Sequence, residues 1–166
     1  HWTGYGKYCI LTIQIQGQTM KNSEIGSFFR LARNNRNMTQ KEIGEKLGYT
    51  SQNISLWEFG KSCPKIEIVL RFCQVMKYDF TYFIKGILME GKLYFHFDSQ
   101  FSLGKINEEI HRKKISKKYL EYKLEVSRPT LNRILTGEIS PTYYQFLCLL
   151  EALKASPEAI LLPLEK

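Results

Sequence analysis

"TQKEIGEKLGYTSQNISLWEFGK", residues 39–61, holds two short runs of helical period that meet at Gly48. Thr39 with Glu42 three residues later has the form of a capping box, which opens the first helix. Ile43 and Leu47 are four apart, so they share one face. Gly48 can take the positive φ that ends a helix sharply. Thr50 or Ser51 caps the second helix, on which Ile54 and Trp57 again share a face. Gly60 closes it, and Pro64 blocks any continuation.

Working outward, Ser23 or Glu24 opens an earlier helix that carries Ile25, Phe28, Phe29 and Ala32 on one side. Ile66, Val69, Leu70, Cys73 and Met76 form a fourth apolar stripe. Asp79 caps a short fifth helix with Phe80 and Phe83. The reading is an all-α unit of five helices. The outward face of its third helix holds Ser51, Gln52, Asn53, Ser55 and Leu56. Amide and small polar side chains suit base edges, and Lys41, Lys46, Lys61 and Lys65 flank them as candidate phosphate contacts.

Residues 25–84 closely resemble the lambda-repressor/Cro-like (XRE) helix-turn-helix family. The resemblance is carried by "MTQKEIGEKLGYTSQNIS", then Trp57, Glu58, Gly60, Lys61, Pro64 and the helix from Glu67. It implies a DNA-binding regulator. It places Gln40 and Lys61 at phosphates, and Ser51, Gln52 and Leu56 at base-reading positions. It also implies a buried ion pair between Arg33 and Glu58.

Sliding the chain by 77 residues superimposes its apolar positions without a gap. Ile43, Leu47, Ile54 and Trp57 meet Leu120, Leu124, Leu131 and Ile134; Gly60 and Pro64 meet Gly137 and Pro141. The chain therefore reads as two tandem five-helix domains, 20–86 and 102–166, with 87–101 between them. Arg33 and Glu58 meet Ile110 and Leu135, an ionic pair replaced by an apolar one. The second copy departs at Glu121 for Gly44, Glu125 for Gly48, Lys117 for Gln40 and Glu138 for Lys61, so its helix pair is expected to splay. Its candidate base readers are Arg128, Thr130, Asn132 and Arg133, with Lys113, Lys114 and Lys117 at phosphates and Arg112 and Lys118 nearby.

The remaining sequence narrows the function class. The 166 residues carry a net charge of +8, which favours an anionic partner, and 43% are hydrophobic, enough for a core. No apolar run reaches membrane length. Residues 1–19 read as an N-terminal extension ahead of Met20, either a strand or sequence foreign to the domain. Leu11, Ile13 and Ile15 alternate with polar residues, as do Leu93, Phe95 and Phe97. A lone strand is unstable, so residues 9–16 and 92–98 are expected to pair as a short β-ribbon, or across a homodimer. His1, His96 and His111 stand in no catalytic spacing, and Cys9, Cys63, Cys73 and Cys148 form no metal motif. The expectation is a cytosolic repressor binding double-stranded DNA, with no enzyme activity, cofactor, metal or membrane. The alternative is a DNA-binding first domain followed by a domain that inhibits a protein partner, of antitoxin or phage-inhibitor type.

Overall fold

A computed structural model describes residues 9–10 and 21–164. Ten helices and four two-residue strands lie among them. The first run is α1 (Asn22–Asn35), α2 (Gln40–Leu47), α3 (Ser51–Glu58), α4 (Ile66–Met76) and α5 (Phe80–Phe83). The second run is α6 (Phe101–Arg112), α7 (Lys117–Leu124), α8 (Arg128–Leu135), α9 (Tyr143–Leu153) and α10 (Pro157–Ile160). Left-handed residues recur at the 77-residue shift. Asn37 and Lys114, Gly48 and Glu125, Gly60 and Gly137, and Lys77 and Lys154 all have φ between 49° and 79°.

The caps follow the local chemistry. Thr39 Oγ1 accepts from the Glu42 amide at 3.1 Å, and Glu42 accepts from the Thr39 amide at 2.6 Å. Asp79 caps α5 by accepting from the Thr81 amide. In the second run Ser116, Ser127 and Thr142 accept the corresponding amides of Tyr119, Thr130 and Gln145. Each cap satisfies a donor that the helix itself leaves unpaired.

The strands pair differently from the expected ribbon. The strand β1 (Cys9–Ile10) runs antiparallel to β2 (Ile87–Leu88), with Cys9 opposite Leu88. The strand β3 (Phe95–His96) runs antiparallel to β4 (Leu162–Pro163), and the Leu164 amide donates to Tyr94 O at 2.7 Å. Residues 95–96 thus pair with 162–163 rather than with the N-terminal segment; residues 11–16 of that expectation lie outside the described residues. The physical reason is proximity: each pair joins the segments that enter and leave one run of five helices.

The core of the first run is an aromatic cluster of Phe28, Phe29, Phe72 and Phe83, with ring centroids 4.7 to 5.9 Å apart. Arg36 Nε donates to Met76 O at the end of α4, and Lys113, its counterpart by 77 residues, donates to Leu153 O at the end of α9. Phe97 and Phe146 meet edge to face in the second run.

The two runs join at a reciprocal contact. The Ile66 amide donates to Pro141 O at 3.1 Å, and the Tyr143 amide donates to Pro64 O at 2.8 Å. Lys65 and Thr142 face each other as an antiparallel bridge. All three pairs are counterparts at the 77-residue shift, the pattern of a two-fold interface formed within one chain. The Tyr143 ring is fully buried there, with its centroid 6.0 Å from that of Phe29.

One position explains why the two runs differ in helix packing. A Cβ on Gly26 would lie 2.4 Å from Trp57 O and 2.6 Å from Glu58 O, so α1 lies almost directly on α3. Leu103 is its counterpart, so the second run buries a leucine where the first has no room for even a Cβ. Gly26→Ala should therefore destabilise the chain by about 1–3 kcal/mol, because backbone rather than a side chain must yield. Chemical denaturation of the full chain measures this.

Candidate nucleic-acid interface

In the first run α3 is held rigidly. Glu58 at the end of α3 is buried and accepts from Arg33 twice, Nε to Oε1 at 2.5 Å and Nη2 to Oε2 at 3.0 Å. Arg33 Nη1 also donates to Met38 O at 2.7 Å. Gln40 Nε2 donates to Glu58 Oε2 at 2.9 Å. This network ties α1, α2 and α3 into one body. A Cβ on Gly44 would lie 2.6 Å from Tyr49 O, so glycine is what lets α2 approach the turn into α3. The Glu42 carboxyl is held below its usual range, chiefly by the Thr39 amide, so the α2 cap is ionised at neutral pH.

This frame leaves part of the expected reading face open. Ser51, Gln52 and Leu56 are exposed, and the Ser51 and Gln52 side chains have no hydrogen-bond partner among the described residues. Ser55 is half-buried beside them. Asn53 is used differently: its Oδ1 accepts from the Thr50 hydroxyl at 2.8 Å and from the Thr50 amide at 3.3 Å, closing the α3 cap. Of the expected phosphate contacts, Lys41 and Lys61 are exposed without a partner among the described residues. Gln40 is half-buried against Glu58, and Lys65 Nζ donates across the junction to Ser140 O at 2.9 Å.

The second run is wired otherwise. Arg128 Nε donates to Glu121 at 2.7 Å, and Arg133 Nε donates to Glu138 at 2.9 Å. Asn132 Oδ1 accepts from Lys117 Nζ at 2.8 Å, and the Thr130 hydroxyl meets that of Ser127 at 3.0 Å. All four expected base readers of α8 therefore have partners within the protein. Lys113, expected at a phosphate, caps α9 and pairs with Glu109 at 3.1 Å. Glu109 also takes Arg112, and these two cations hold its carboxyl down at about 2. Lys114 and Lys118 are exposed without a partner among the described residues.

Sequence reasoning missed Tyr49, Phe59 and Arg30. Phe59 is 62% exposed, at the end of α3, with the Arg30 guanidinium 5.9 Å from its ring centroid. Tyr49 is exposed too and packs edge to face on Trp57 at 5.0 Å. The available signal was an aromatic residue just beyond each helix of the pair, where a polar turn residue is usual. Among the described residues no group of His, Cys, Asp or Glu could hold a metal ion, and no helix is long and apolar enough to cross a membrane.

No curated protein and no solved structure matches the chain. A family model described as Helix-turn-helix matches residues 29–83. That span runs from within α1 to the end of α5 and includes the capped α2–α3 pair and the Arg33–Glu58 anchor. Residues 29–83 thus match the lambda-repressor-like helix-turn-helix family, a family of DNA-binding transcription regulators.

Proposed function

We propose that the protein is a sequence-specific regulator that represses transcription by occupying promoter DNA. Its ten helices act as two tandem domains, 20–86 and 102–166, with α3 as the reading helix. The observation that carries this reading is the open face of Ser51, Gln52 and Leu56, flanked by Lys41 and Lys61, which have no partner among the described residues, on a helix fixed by buried Glu58. A planar amide such as Gln52 can make paired hydrogen bonds to adenine, and Leu56 can meet a thymine methyl. The reciprocal contact of 64–66 with 141–143 lets one chain supply what a homodimer supplies elsewhere, two binding units at fixed spacing.

Gln52→Ala should cost about 1–3 kcal/mol at one or two base positions and leave other sequences alone. Lys61→Ala should weaken binding to every sequence and lower the salt slope by about 1. Titrations against a panel of single-base variants at several salt concentrations separate the two. A Gln52→Ala chain with unchanged affinity and base preference refutes the assigned face.

A second reading gives the C-terminal domain a protein partner. Tyr122, 78% exposed, stands where the first run has Glu45, and exposed Tyr119 stands where it has Glu42. Exposed tyrosines are typical anchors of protein interfaces. Footprint length distinguishes the readings, since one engaged domain protects about one helical turn where two protect more.

A further inference from the structure

We propose that the second run of helices grips the DNA backbone without reading bases, so that α3 alone reads sequence. This inference rests on the DNA-binding reading above. Two observations carry it, one on α8 and one at its rim.

On α8, the groups that could reach base edges are engaged inside the protein. Arg128 and Arg133 are paired with Glu121 and Glu138, which stand where the first run has Gly44 and Lys61. Asn132 accepts from Lys117, and Thr130 meets Ser127. Pro129 replaces Gln52 and removes the amide at that position. Each carboxylate also places negative charge on the face that would approach DNA. An arginine leaving its carboxylate for a guanine would leave that charge uncompensated near phosphates.

At the rim the substitution runs the other way. Asn37 and Gln40 of the first run become Lys114 and Lys117, and Lys41 is kept as Lys118. All three are exposed, and none has an acidic partner among the described residues; Lys117 meets only the neutral Asn132. Lys118 lies one residue along α7 from Lys117, and Lys114 sits in the left-handed turn just before it. Point charges on flexible stems suit phosphates and carry no base code. The second run has thus gained two rim cations and kept a third, while the cations on α8 are neutralised and the position of Lys61 has passed to Glu138.

The test uses the full chain and duplex DNA selected from a random pool. One information-rich cluster of bases is expected, flanked about one helical turn away by protected but degenerate sequence. Gln52→Ala should relax one or two base positions within that cluster and leave the flanking protection unchanged. Lys114→Ala with Lys118→Ala should weaken every sequence alike and lower the salt slope by about 2. Arg128→Ala with Arg133→Ala should leave base preference unchanged. A second base cluster lost in the Arg128→Ala, Arg133→Ala chain would overturn this inference and leave the DNA-binding reading intact. A silent lysine pair with a one-turn footprint would also overturn it, giving the second run to a protein partner. No enrichment of any sequence, with Gln52→Ala silent, would overturn both.

Discussion

Replacing Arg33 by Ile or Glu58 by Leu alone should destabilise the chain by about 3–5 kcal/mol, whereas replacing both should cost about 1–2 kcal/mol. Each single change strands a buried charge. Among the described residues, the Glu58 carboxylate without Arg33 keeps only Gln40 as a donor, and the Arg33 guanidinium without Glu58 keeps only Met38 O. The double change removes both charges and leaves two lesser losses, the Gln40 and Met38 hydrogen bonds. The chain has made this replacement at the equivalent positions, where Ile110 and Leu135 pack against the core. There Asn107 Nδ2 donates to Leu135 O at 3.0 Å. Denaturant titration of the four chains of the cycle gives the coupling energy. Additive losses would show that the two side chains do not act as a pair.

Tyr143→Ala should cost about 3–5 kcal/mol, the range for truncating a large buried ring. The effect should go beyond stability. Tyr143 belongs to α9 but its ring lies beside Phe29 of α1, so its loss opens a cavity between the two runs. Their unfolding should then separate into two transitions in calorimetry. Tyr143→Phe keeps the ring and removes a buried hydroxyl that has no partner among the described residues, so it should preserve a single transition. A single transition in Tyr143→Ala would show that the backbone bridge at Lys65 and Thr142 suffices to couple the runs.

Features written into local chemistry were legible in the sequence. Thr39 with Glu42, Thr50, and Asp79 announced their helix starts because capping needs particular side chains at fixed offsets. Arg33 and Glu58 were legible through resemblance and through their joint replacement at the 77-residue shift. The strand pairings were not legible. Two residues of alternation carry too little pattern to name a partner, and β4 contains Pro163.

The candidate interface divided along the same line. Residue type suggested Asn53 as a base reader, yet an amide three residues after a capping Thr can equally close the cap. Arg128 and Glu121 are seven residues apart across a turn, and Arg133 and Glu138 are five apart past a helix end. Neither spacing is a standard helical ion pair, so only the fold brings these groups together. Lys113 looked like a phosphate contact by charge alone; its role as the counterpart of Arg36 became visible only once α9 was placed over it.

On this reading one chain binds one duplex through both runs of helices, with α3 reading the sequence. A footprint of the full chain on its selected DNA tests this most directly. The expected result is protection of one face of the duplex over two successive major-groove turns, about 10 base pairs between centres, on an asymmetric sequence at a stoichiometry of one chain per site. Protection of a palindrome by two chains, or of a single turn, would contradict it.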